Sequence, residues 1–154
     1  SYGLDQRHYS ADQRRRGFQA EGHAAGIEPL VVDGVHEPPE QGMLAAGRLL
    51  DEADPRPTAV ACYGGEAVGL LHAAERRGLR VPDDLSIVTF GPWSSRYLDA
   101  FFTGPRHDDA AAARAAVELL VTKIEESSAA SRAPCVRVPM PMHIGGSVAP
   151  PLTP

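Results

Sequence analysis

The stretch AVGLLHAAERRGLRVPDDLSIVTFG, residues 67–91, decides the fold. Ala67, Val68, Leu70, Leu71 and Ala74 fall on one helical face, and Glu75, Arg76 and Arg77 fall on the wet side. Gly78 supplies the left-handed stop that ends such a helix. Val81-Pro82-Asp83-Asp84 then turns the chain back, because proline fixes φ and aspartates favour turns. Residues 85–90 form an apolar run of strand length, as expected in a parallel sheet covered on both faces. A sheet of that kind presents its ligand site at the carboxyl ends of its strands. The site is therefore expected around Gly91, Pro92 and Trp93.

Working outward, the same alternation recurs. Ser10-Ala11-Asp12-Gln13 has the form of a capping box and predicts a helix over 10–25, closed by Gly26. Residues 29–32 read as a short buried strand. Pro38-Pro39-Glu40 opens a second helix, where proline suits the first turn, with Met43, Ala46, Leu49 and Leu50 as its core face. Residues 58–62 read as the next strand, and Gly64-Gly65 leads into the helix of the opening stretch. Helix, strand, helix, strand, helix, strand gives an α/β fold with a parallel sheet, right-handed crossovers and helices on both faces.

Beyond Gly91, residues 93–102 hold a short helix or a crossover. A helix is expected over 107–126. Asp108 and Asp109 favour its start through the helix dipole, and Val117, Leu120, Val121 and Ile124 recur at its apolar spacing. Val136, Val138, Met140 and Met142 alternate with Arg137, Pro139, Pro141 and His143, a strand pattern. Its prolines lie two apart and leave only one side free to pair, so an edge strand is expected. The tail over 145–154 is expected to be loose.

The chain has 154 residues, 43% hydrophobic and 23% charged, which suits one soluble domain with one core. A net charge of -5 argues against a general nucleic-acid surface. No apolar run is long enough to span a bilayer, so no membrane partner is expected. The chain opens on no signal-peptide pattern, and a cytoplasmic location is expected. Cys62 and Cys135 sit in apolar strand-like runs and read as two reduced, buried thiols.

Ordered motifs in this chain resemble a known family. Val81-Pro82-Asp83-Asp84-Leu85-Ser86-Ile87-Val88-Thr89-Phe90-Gly91 is similar to the V-P-x-D-x-S-x-V-x-F-D segment of lactose-repressor (LacI/GalR) type regulators. Arg14-Arg15-Arg16-Gly17-Phe18 matches their R-x-x-G-F. Ile27-Glu28-Pro29 with Gly42, and Pro57-Thr58-Ala59-Val60, match in the same order. The resemblance runs over residues 14–144. It implies a periplasmic-binding-protein-like (type I) core, and mainly its carboxyl-terminal lobe as a single domain over 1–154. On this reading the helix over 107–126 normally packs on an amino-terminal lobe, and the family's helix-turn-helix has no counterpart here. The implied function is effector binding and dimerisation in a ligand-responsive repressor. Its partners would be a sugar-like or anionic small molecule, a second copy of the chain, and operator DNA reached only through the helix-turn-helix module. A secreted solute-binding protein of the same fold is the chief alternative.

The resemblance also assigns residues. Arg14 matches the effector-binding arginine, and a planar guanidinium with paired donors suits hydroxyls or a carboxylate. Tyr63-Gly64 stands where the family usually has Asn-Asp, Gly91 stands at its aspartate, and Glu37 stands where a stacking aromatic often lies. Trp93 could stack on a ring instead. Losing the asparagine and aspartate removes acceptors for sugar hydroxyls, so Arg14, Tyr63 and Trp93 better suit a flat or anionic ligand. Leu70, Leu71 and Ala74 are the candidate dimer contacts. Gly64-Gly65 at a helix start is a weak anion-site signal. Cys62 before the same helix is a conceivable nucleophile, but no histidine is placed to serve it, and no enzyme activity is expected. His107-Asp108-Asp109 reads as a helix cap, and His8, His23, His36, His72 and His143 lack ligand spacing. No metal or other cofactor is expected.

Overall fold

The computed structural model describes residues 9–32, 40–90, 96–125 and 135–150. In chain order these form α1 (Tyr9–Ala24), α2 (Glu40–Ala46) continued by a π-helical turn (Gly47–Glu52), β1 (Ala59–Tyr63), α3 (Gly64–Glu75), β2 (Ser86–Phe90), α4 (Arg96–Phe101), β3 (Gly104–Pro105), α5 (Asp109–Glu125) and β4 (Met142–His143).

β1, α3 and β2 are the unit read from the opening stretch. β1 and β2 pair in parallel, from Ala59 opposite Ser86 to Tyr63 opposite Phe90. Gly78 has φ 71°, the left-handed stop expected of it. β2 is hydrogen-bonded on both edges. Ser86 N–H donates to Thr58 O at 2.8 Å on the β1 side, while Ile87 and Thr89 N–H donate to Ser147 O and Thr103 O at 2.8 and 2.9 Å on the other. Both edges satisfied and both faces covered explain why this segment has no polar face to alternate with.

The core gathers Leu70, Ala73 and Ala74 of α3, Leu85 and Ile87 of the second strand region, Phe102, and Ala46, Leu49 and Leu50 of the α2 region. Each buried leucine or isoleucine stabilises by roughly 1.5–3 kcal/mol relative to exposure. Gly42 sets the distance between α2 and α3. A Cβ there would collide with the Glu66 carbonyl and lie 2.9 Å from the Leu70 nitrogen. With Gly42 facing α3, the inward face runs through Gln41, Gly42, Ala46, Leu49 and Leu50. Met43, expected in the core, lies round the helix and is exposed.

Several expectations need correction. Residues 29–32 form no strand. Ile27 N–H donates to Gly22 O at 2.9 Å, and Pro29 packs on Gly22, so the segment folds back on α1 rather than onto β1. The strand expected from Val136 onward shrinks to β4, which pairs antiparallel with β3. Pro139 and Pro141 cannot donate to a ladder, although the Pro141 carbonyl accepts Arg106 N–H at 2.9 Å. Cys135 is exposed rather than buried, and both cysteines are free.

The tail is not loose over 145–150. Ser147 is fully buried, its hydroxyl donating to Ile87 O at 2.6 Å and accepting Thr103 N–H at 2.9 Å. Ser86 Oγ bonds both the N–H and the carbonyl of Ala149 at 3.1 Å. Polar side chains here lengthen the sheet edge, a role that apolar periodicity does not signal. Residues 151–154 lie outside the described residues.

Candidate functional site

Three elements converge at the carboxyl end of the parallel pair. Tyr63 ends β1 and begins α3, Phe90 ends β2, and Arg14 reaches across from α1. Arg14 Nη1 donates to the Tyr63 hydroxyl at 3.0 Å. Its guanidinium lies 5.2 Å from the centre of the Tyr63 ring and 5.7 Å from that of Phe90, both within cation–π range. Local structure selects Arg14 from its run. Arg15 and Arg16 both turn to Asp12, at 3.1 and 2.9 Å, leaving Arg14 to face the sheet.

α3 begins against the same corner. Glu66 Oε2 accepts the Tyr63 N–H at 3.0 Å, which fixes Tyr63 at the strand-to-helix junction. That carboxylate also occupies the amino end of α3, where the Gly64-Gly65 turn suggested an anion. Phe90 was not singled out from sequence, because a strand-end phenylalanine there reads as core. Glu37, Gly91 and Trp93 lie outside the described residues.

A cleft of about 1040 Å³ lies beside this corner, along the edge of β1 that pairs with no strand among the described residues. Phe18, Pro29, Leu30, Leu49, Ala61 and Cys62 are among its lining residues. Pro29, Leu30 and Val32 of the expected strand line it, and neither Arg14 nor Tyr63 does. The chemistry favours the Arg14 corner, where a cation and two rings meet.

Cys62 faces this cleft, half-buried. Burial first, and the Glu66 charge second, push its thiol up to about 12. A thiol held that high yields almost no thiolate at neutral pH, which disfavours Cys62 as a nucleophile. At the start of α5, Asp108 Oδ1 accepts Ala111 N–H at 2.8 Å, the cap expected of it. No group of histidine, cysteine and acidic residues suited to a metal occurs among the described residues. Among them no helix is long and apolar enough to cross a membrane.

The expected dimer contacts sit differently. Leu70 and Ala74 are spent on the chain's own core, at 2% and 0% exposure. They pack against α2 and β2 and have no surface to offer a partner. Of the three, only Leu71 keeps exposed area.

Residues 2–148 match the periplasmic-binding-protein-like domain. The chain belongs to this family, as the effector-binding core found in LacI/GalR-type regulators. The HTH-type transcriptional repressor PurR of Klebsiella pneumoniae is 35% identical over 107 residues, covering 68% of this chain and 30% of the repressor. A LacI family transcriptional regulator from Mycobacterium smegmatis superposes with TM-score 0.72 at 28% identity, over 94% of this chain and 55% of that one. One from Bifidobacterium animalis reaches TM-score 0.78 at 24% identity, over 92% and 51%, and speaks for the fold alone. The chain thus spans about 30% of the curated relative and about half of the solved ones. The relatives named are transcription regulators rather than enzymes or secreted binding proteins.

Proposed function

We propose that this chain is the effector-binding and dimerisation part of a ligand-responsive transcriptional repressor. One observation carries the reading. Arg14, Tyr63 and Phe90 come from three elements and meet at the carboxyl end of a parallel sheet, where open α/β folds take their ligands. Gly91 follows Phe90 directly in sequence and Trp93 comes three residues after it, and with Glu37 they are the further ligand residues of this proposal. The effector shifts a population between two arrangements of the effector-binding core. A helix-turn-helix module of the kind named in the relatives carries operator contact, and this chain does not bind operator itself. The regulator works in the cytoplasm as a homodimer.

Trp93 is the single tryptophan, which makes the test direct. Its fluorescence is followed while small carboxylates and neutral sugars are added. A saturable change with one of them is expected. Arg14→Ala should then weaken binding by about 1.5–3 kcal/mol, the range of a hydrogen bond to a charged group. Saturable binding that Arg14→Ala leaves unchanged would place the ligand elsewhere and overturn the site.

A further inference from the structure

We infer that Glu66 is a positioning residue of this corner: it fixes Tyr63, and through Tyr63 it sets where the Arg14 guanidinium stands, a role that rests on the proposed ligand site.

The Tyr63 backbone has little else to hold it. Gly64 and Gly65 follow at the strand-to-helix turn, and glycine restrains a backbone least. Ser86 N–H donates to Thr58 O, so alternate residues from Thr58 to Cys62 turn their backbone groups toward β2. Tyr63 turns its N–H to the opposite edge, where no strand pairs among the described residues. Glu66 Oε2 accepts that N–H at 3.0 Å in place of a strand. This is the half of a capping box in which the third helical residue reaches back to the cap.

Glu66 is itself held. Gly42 of α2 lies so close that a Cβ there would collide with the Glu66 carbonyl. Ala67 and Leu70, which follow in α3, are buried. A residue that positions another has to be fixed by its own surroundings.

Tyr63 in turn makes two contacts with Arg14, which lies 49 residues away in sequence. Its hydroxyl accepts Arg14 Nη1 at 3.0 Å, and its ring centre lies 5.2 Å from the guanidinium. A displaced Tyr63 backbone moves both contacts together, and hydrogen bonds weaken steeply off axis. The role needs an acceptor of the right reach rather than a charge. Glutamine keeps such an oxygen, and alanine has none.

NMR of the whole chain without ligand tests this, following Tyr63 amide exchange and the Arg14 Nε–H signal, which Arg14→Lys identifies. Glu66→Ala should speed Tyr63 exchange about tenfold, the scale of one hydrogen bond to a charged group. It should also move the Arg14 signal in the direction that Tyr63→Phe moves it. Glu66→Gln should restore both. Adding Tyr63→Phe to Glu66→Ala should move the Arg14 signal little further, because both remove one contact. Circular dichroism confirms folding, and Glu66→Leu, which keeps methylenes at that site, carries the same readouts should Glu66→Ala unfold. An unmoved Arg14 signal, shifts that add in full, or a Glu66→Gln chain that behaves as Glu66→Ala overturns the inference and leaves the proposed function standing. Saturable ligand binding that Arg14→Ala leaves unchanged sinks the proposed function, and with it the place of Glu66 in a ligand site.

Discussion

α3 and α5 are helices of twelve and seventeen residues with apolar side chains recurring at helical spacing. α3 buries Ala67, Leu70, Ala73 and Ala74 between α2 and the sheet. α5 buries nothing, and Val117, Leu120, Val121 and Ile124 stand 59%, 60%, 46% and 68% exposed. α5 is properly begun by Asp108, so its local signals are intact. Its spacing records that one face is to be covered. It does not record whether the cover belongs to the same chain. Leaving four such side chains in water forgoes roughly 1.5–3 kcal/mol apiece, which makes this face a candidate interface.

The comparison breaks most plainly under truncation of matched leucines. Leu70→Ala should cost about 2–5 kcal/mol of stability, because the α2–α3 packing cannot collapse into the void. Leu120→Ala in the same isolated chain should stay within about 0.5 kcal/mol, as for other surface changes. Urea midpoints of the two variants measure both. Equal losses would show that α5 packs on this chain after all.

A smaller effect sharpens the same contrast from α3's carboxyl end. Arg77 reaches back to Asp51, Nε to Oδ1 at 2.8 Å, tying the helix to the π-helical turn. That hydrogen bond holds the Asp51 carboxyl below its ordinary value of 3.8. Asp84 is held below the same value by Arg80, first through the side-chain hydrogen bond. A depressed folded-state value means stability present above the unfolded value and lost as pH falls through the folded one. The urea midpoint should therefore drop as pH falls below about 4, and the drop should be shallower in Arg77→Gln. Asp51 is exposed and Asp84 half-buried at the surface, so the effect is small, and an identical acid limb in Arg77→Gln would remove Asp51 from it.

Legibility follows the same division. The β1–α3–β2 unit was readable because each step has a local cause: a helical face, a glycine at φ 71°, a turn with Pro82, and a strand with no polar face. Arg14 and Tyr63 were named through family resemblance, and the structure joins them by a hydrogen bond across 49 residues. Phe90 was missed because a ring that packs and a ring that holds a guanidinium look alike in sequence. Ser147 was missed because its value lies in two hydrogen bonds to distant backbone groups, which no periodicity announces. Leu70 and Ala74, candidate dimer contacts by resemblance, are buried within the single chain at 2% and 0% exposure, because an apolar face does not name what covers it and here α2 does.

The exposed face of α5 gives the most direct trial of this chain as one part of a larger ligand-responsive assembly. Sedimentation velocity at micromolar concentration should show a dimer for the unaltered chain. The double variant Leu120→Glu with Ile124→Glu should sediment as a folded monomer. A monomeric unaltered chain, with α5 amides as protected from hydrogen exchange as those of α3, would contradict it by showing that the chain covers this face alone.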